Sequence, residues 1–301
     1  MVCVIGAQGT LGSAVVKQFE AAGWRVHPAG RRPDKREGFI QVDLDRAETV
    51  EPLLERVDLI VSTVCHTSLN EERLVLERGG VLVNCTHFHR KEMASLAASV
   101  QEAKGTVLLN AGLVPGISNL AAAKLLKKHP QADCLEVALT VLNKGTAGRE
   151  GGEIVYEGLT SPGKHPVMKL SLPEPFGELP CIGATSQEED FGFGGVAGSR
   201  DVKLYLAFGD RWLSVFLRAH NALGLLRIMP KVLFRVNRGP QAEPSREPTV
   251  IWLGARRGAE RLGASIVQCE GDYRTTAAAG HLFSERLFAD SRPGCFSPQD
   301  L

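Results

Sequence analysis

The chain has 301 residues, 44% of them hydrophobic and 23% charged, which is enough for one large or two ordinary domains with a real core and excludes a disordered protein. A formal net charge of +1 leaves no strong field toward nucleic acid or a membrane surface. The seven cysteines (Cys3, Cys65, Cys85, Cys134, Cys181, Cys269 and Cys295) are scattered with no C-x-x-C pair, which excludes a full disulfide framework and points to a reducing, cytoplasmic setting.

Val2 to Ile5 reads as a fully buried strand at the very start, with no leader before it. Gly6, Gly9 and Gly12 follow at G-x-x-G-x-x-G spacing, and Ser13 to Ala22 reads as a helix. Strand, glycine turn and helix together open a dinucleotide-binding unit. The turn needs residues without Cβ, the backbone must approach a pyrophosphate, and the helix N-terminus offers free N–H groups and a positive dipole end. Gly6, Gln8, Gly9, Thr10, Leu11 and Gly12 are therefore candidate cofactor contacts.

A second strand, Trp24 to Ala29, ends in Gly30-Arg31-Arg32. NAD-binding units place an acid there, about twenty residues past the glycines, to accept from the ribose 2′-OH. Two guanidinium groups suit a 2′-phosphate instead, so Arg31 and Arg32 favour NADP(H) over NAD. Asp34 stands too late in the chain to face the ribose. Strands follow at Phe39 to Val42, Val57 to Val64, Val81 to Val83 and Thr106 to Leu109. Helices stand between them at Ala47 to Arg56, Leu69 to Glu77 and Lys91 to Ala103. Continuous apolar strands alternating with helices predict a parallel sheet covered on both faces.

The carboxyl ends of those strands mark the cleft. They carry Asp43, then Thr63, Val64, Cys65 and His66, then Cys85, His87 and His89, then Asn110. Asp43, Thr63, Val64 and Cys65 are candidate cofactor contacts. His66 and His87 are the leading candidates for proton transfer, with Asn110 beside the substrate. The His87-x-His89 pair lacks a third ligand at convincing spacing, so no metal is expected.

After Asn110 a turn-rich loop leads to a helix, Ser118 to Lys128, with Ser118 as the expected N-cap. From Leu135 the strands alternate apolar and polar: Leu135 to Leu142, Val167 to Leu172, Val202 to Phe208, Thr249 to Ala255 and Ala264 to Cys269. That period predicts a mainly antiparallel sheet with one covered face, in a second domain of α+β type. The longest apolar stretch, Trp212 to Phe234, holds Arg218, His220, Arg227, Pro230 and Lys231, which fits a buried or interfacial helix rather than a membrane span. Gly239 to Pro248 reads as a surface loop, Thr275 to Asp290 as a helix, and the remainder as an extended tail. None of Tyr156, Tyr205 and Tyr273 has Lys four residues on, so the Tyr-x-x-x-Lys machinery of short-chain reductases is missing.

The segment Asn110-Ala111-Gly112-Leu113-Val114-Pro115-Gly116-Ile117-Ser118-Asn119 resembles the saccharopine dehydrogenase family in its glutamate-forming branch, whose loop has the form A-G-hydrophobic-D-P-G-I-D. Tyr273 to Ala279 and Pro293 to Pro298 look like the family's returning C-terminal segment. The resemblance implies a Rossmann-type domain over residues 1–117, an inserted α+β substrate and dimerisation domain over 118–271, and a return over 272–301. It further implies an NADP(H)-dependent reductase acting on C=N or C=O bonds, with the nicotinamide in the cleft between domains. Gly112, Val114, Pro115, Gly116 and Ser118 would then line the substrate, aided by basic groups such as Arg200 or Arg211. Both acids of the family loop are absent, Val114 and Ser118 standing in their places, which removes one way of holding a charged amino acid. A homodimer through the open sheet is expected, and the alternative function is a non-catalytic NADP(H)-binding regulator or scaffold protein.

Overall fold

The computed structural model describes residues 1–88, 90–97, 102–141, 149–161, 165–184, 191–231, 246–290 and 292–301. His89, the end of the helix expected up to Ala103, most of the loop expected from Gly239 to Pro248, and the side chain of Arg211 lie outside the described residues.

The chain divides into two compact units, the first made of Met1–Asn119 with Tyr273–Leu301 and the second of the described residues between. In the first unit the order is β1 (Val2–Ile5), α1 (Thr10–Ala21), β2 (Val26–Gly30), β3 (Ile40–Gln41), α2 (Ala47–Val50), β4 (Leu59–Ser62), α3 (Asn70–Arg78), β5 (Val81–Asn84), α4 (Arg90–Ala97) and β6 (Thr106–Leu108). Pro52 accounts for the short α2, since the helix expected to run on to Arg56 gives way to a 3-10 turn over Glu51–Leu53. Next come α5 (Ile117–Lys128), β7 (Cys134–Val141), α6 (Arg149–Thr160), β8 (Val167–Leu172), β9 (Gly177–Ala184), α7 (Phe193–Ala197), β10 (Asp201–Phe208), α8 (Arg211–Ala222), β11 (Pro248–Arg257), β12 (Glu260–Glu270), α9 (Asp272–Ala289) and β13 (Gly294–Phe296).

The first sheet is seven-stranded and parallel throughout, in the order β13-β6-β5-β4-β1-β2-β3. Strand order reverses between β1 and β4, which is the switch point where such sheets bind ligands. Alternate strand residues feed two cores. Val2, Val4, Leu59 and Val61 pack with Val15, Phe19, Phe283 and Leu287 on one face. Cys3, Ile5 and Ile60 pack with Leu53, Leu76 and Leu96 on the other. Burying each large aliphatic or aromatic side chain stabilises by about 1.5–3 kcal/mol, so the doubly covered sheet holds its strand ends rigidly. The C-terminal tail is more than an extended tail: β13 adds the seventh strand, paired with β6.

The second sheet runs β12-β11-β7-β10-β9-β8 and is antiparallel except for the β7–β10 pair. Its central strands are covered on both faces, where one covered face was expected. Ala138, Tyr205 and Trp252 pack on one side, while Ile182, Leu206 and Phe208 meet Leu159 and Leu217 from α6 and α8 on the other.

Candidate functional site

The glycine turn stands at the carboxyl end of β1. Gly6 has φ +83°, and a Cβ on it would lie 2.6 Å from both Thr63 Oγ1 and Val64 Cγ2. A Cβ on Gly12 would collide with Gly6 O, so only glycine lets α1 pack this closely onto the turn. Gly9 is the N-cap of α1, with no side-chain cap and no acid in the first turn. Its carbonyl accepts the N–H of Ser13, the first bond of the helical ladder. The leading N–H groups at Thr10, Leu11 and Gly12 therefore have no helical partner and converge with the dipole on the space over the turn. Thr63 closes the turn from β4, its N–H and Oγ1 both donating to Ile5 O at 3.1 and 2.8 Å.

Beyond β2, Arg31 and Arg32 are exposed, and their carbonyls accept from Gln41 Nε2 and Gln8 Nε2. Asp34 folds back toward the glycine turn, where it meets Gln8. Its carboxylate receives four hydrogen bonds, from Gln8 Nε2 and from the N, Nε and Nη2 of Arg36. Arg36 Nη1 also donates to Ala7 O at 3.3 Å. The Arg36 hydrogen bonds hold the Asp34 carboxyl down at about 2, so it is an anion already paired. Asp43 lies further out, half-buried, its Oδ1 accepting from Asp45 N.

The end of β4 leads into a buried polar cluster. His66 Nε2 lies 3.1 Å from Glu71 Oε1 and 3.6 Å from Glu72 Oε1, and Nδ1 lies 3.1 Å from Ser68 Oγ. Asn84 Nδ2 donates to the same two carboxylate oxygens at 3.3 and 3.0 Å. Glu71 and Glu72 are wholly buried, and the second oxygen of each has no hydrogen-bond partner among the described residues. Burial opposes a charge on His66, but the hydrogen bonds and charges of Glu71 and Glu72 outweigh it and lift the imidazole to about 10. Burial, then the neighbouring Glu72, raises the Glu71 carboxyl to about 7. A histidine and two carboxylates of this geometry form a possible cation-binding set. Asn84 Nδ2 already donates to the two oxygens that face His66. His87 is half-buried at the end of β5, and its carbonyl faces Cys65 Sγ at 3.8 Å.

Asn110 opens the loop toward α5 in the left-handed conformation, φ +60°, which Asn tolerates. It is buried, with Oδ1 accepting from Phe88 N and Nδ2 3.6 Å from Met93 Sδ. Gly112 and Gly116 pair with each other, and a Cβ on Gly116 would strike Gly112 O. Pro115 O accepts from Gly112 N, across a cis Val114–Pro115 bond. Val114 is half-buried, while its loop neighbours are buried. Ser118 lies inside α5 rather than capping it, its Oγ donating to Asn119 Oδ1 at 2.8 Å. Asn119 does the capping instead, accepting from Gly116 N. Thr276 of α9 pins the loop, its Oγ1 accepting from Leu113 N.

Residues 2–76 match the model of the NAD dependent epimerase/dehydratase family. That match covers the glycine turn and the first strands but none of the tyrosines. No curated protein matches the chain. Among solved structures, apo saccharopine dehydrogenase (L-Glu forming) from Saccharomyces cerevisiae aligns over 99% of this chain and 94% of its own, with a TM-score of 0.63 at 11% identity. The chain has a saccharopine dehydrogenase-like fold. A meso-DAPDH variant of Clostridium tetani E88, with DAP, aligns over 100% of this chain and 94% of its own, with a TM-score of 0.53 at 11% identity.

In this saccharopine dehydrogenase-like chain, the first unit thus brings Gly6 against Thr63 and Val64, Gly12 against Gly6, and Gln8 against Arg32 and Asp34. Arg200, in the second unit, donates to the backbone carbonyls of Ala132, Ala197 and Pro130. Sequence reasoning missed Arg36 and the Glu71–Glu72–Asn84 group. A signal for the acids exists: Glu71 and Glu72 precede Val75 and Leu76 by four residues, which puts them on the buried face of α3.

Proposed function

We propose that the chain is an NADP(H)-dependent oxidoreductase acting on the carbon of a C=N or C=O bond in a small-molecule substrate. The observation that carries this reading is the glycine turn at the β1/β4 switch point, where Gly6 and Gly12 admit no side chain and α1 starts uncapped. A bound reduced nicotinamide supplies hydride. The residues of the chain supply position: Gly9, Thr10, Leu11 and Gly12 hold the pyrophosphate by backbone N–H groups, and Thr63, Val64 and Cys65 form the wall beside the ribose. Two features support the 2′-phosphate: Arg31 and Arg32 are exposed, and Asp34 is already neutralised by Arg36. C=N chemistry rests on the resemblance at Asn110 to Asn119.

A proton donor works best with a pKa near the working pH. His66, lifted to about 10 and locked between Ser68 and the two acids, is poorly matched, which leaves His87 as the proposed donor. Gly112, Val114 and Pro115 form the proposed substrate side, with Val114 the half-buried member. A homodimer belongs to the same proposal, supported by the outer edge of the long strand β12. One observation favours a second reading as a non-catalytic NADP(H)-binding regulator: Asn110 and Ser118 are both consumed by internal hydrogen bonds. Incubation with NADPH and a panel of cyclic imines, ketones and enones separates the two. Substrate-dependent loss of NADPH absorbance establishes the oxidoreductase, whereas tight NADPH binding with no turnover on any substrate establishes the regulator.

A further inference from the structure

Among the described residues thirteen large hydrophobics are exposed, and six of them, Trp212, Val215, Phe216, Leu223, Leu225 and Ile228, fall in one stretch of α8 and its continuation. Trp212 is 85% exposed and Leu223 70%. The spacing is helical. Trp212, Val215, Phe216, Ala219 and Leu223 stand at i, i+3, i+4, i+7 and i+11, so they form a single outward stripe. The opposite face of the same helix is the one that builds the second unit, through Leu213, Ser214, Leu217 and Asn221. Helix α8 is thus apolar on two faces, and the fold uses only one. Soluble proteins rarely leave a contiguous patch of this kind uncovered unless something docks there.

The charges beside the stripe choose the occupant. From Arg211 to Lys231 there are four basic residues and no Asp or Glu. Arg218 is exposed next to the stripe on α8, and Arg227 is exposed in the turn that follows the helix. In a two-fold dimer the same patch faces itself, which would set these cations against each other. An anionic lipid surface complements both features: the stripe enters the boundary between headgroups and acyl chains, the arginines meet the headgroups, and a Trp sits at that boundary by preference. No helix among the described residues is long and apolar enough to cross a membrane, so the contact is peripheral. We infer that the outward face of α8 docks the protein onto an anionic lipid surface.

The test is flotation of the full chain with vesicles of phosphatidylcholine plus phosphatidylserine and with vesicles of phosphatidylcholine alone. The expected result is flotation with the mixed vesicles, weakened by salt, with Trp212 quenched by brominated lipid. Trp212→Ala, and separately Arg218→Glu with Arg227→Glu, are each expected to lower the bound fraction at least about tenfold. Both variants change exposed side chains, and an unaltered melting temperature shows that the fold is kept. Absence of flotation overturns the inference, as does flotation that both variants leave unchanged or that is equal on neutral vesicles. Self-association abolished by Trp212→Ala without vesicle binding also overturns it, assigning the stripe to a second copy of the chain.

Discussion

Gly12 shows how a single residue ties fold to function. The close packing of α1 on the turn leaves no room for a Cβ beside Gly6 O. Gly12→Ala is expected to cost about 1–3 kcal/mol in urea unfolding and to weaken NADPH binding, because α1 must move off the turn. Glu71 makes a different prediction. Folded, it binds its proton more tightly than in the unfolded chain, with the carboxyl raised from 4.5 to about 7 by burial and then Glu72. Its stabilising share is therefore present below 4.5 and lost as pH rises toward 7. His66, raised from 6.5 to about 10, works in the same direction, losing its share between those values. Stability measured against pH is expected to fall more steeply between 4.5 and 7 in the wild type than in Glu71→Gln, and parallel curves would refute this assignment. The glycines were legible in the sequence because their spacing is local. The cluster was not, since Glu71 and Glu72 look like ordinary acids of a helix's first turn until α3 is packed on the sheet.

Elements explain which further parts of the site could be read in advance. Strands β1, β4, β5 and β6 were visible as apolar runs because both faces of the sheet are buried, and their ends set Thr63, Val64, His66 and Asn110. Ser118 reads as a cap from its position, yet α5 begins one residue earlier and Asn119 reaches back to Gly116 N. The pairing of β13 with β6, and the contact of α9 with the loop, join residues far apart in sequence and carry no local pattern. Thr276 is the clearest case. Thr276→Val leaves the buried Leu113 N–H without its acceptor and is expected to cost about 1–3 kcal/mol by chemical denaturation.

At the scale of the whole molecule, a parallel unit with a glycine turn is joined to a largely antiparallel unit, in a fold shared with saccharopine dehydrogenase at low identity. In the proposed function the choice of cofactor turns on Arg31 and Arg32. Arg31 and Arg32 offer two exposed guanidinium groups, while Arg36 is spent on Asp34 and on Ala7 O. The most direct measurement is calorimetric titration of NADPH and NADH into the wild type and into the Arg31→Ala/Arg32→Ala variant. The account predicts that the wild type binds NADPH at least tenfold tighter than NADH, a gap of about 1.4 kcal/mol, and that the variant loses the gap while still binding both. Failure of the wild type to bind either dinucleotide, or a variant that keeps the full preference, would contradict it.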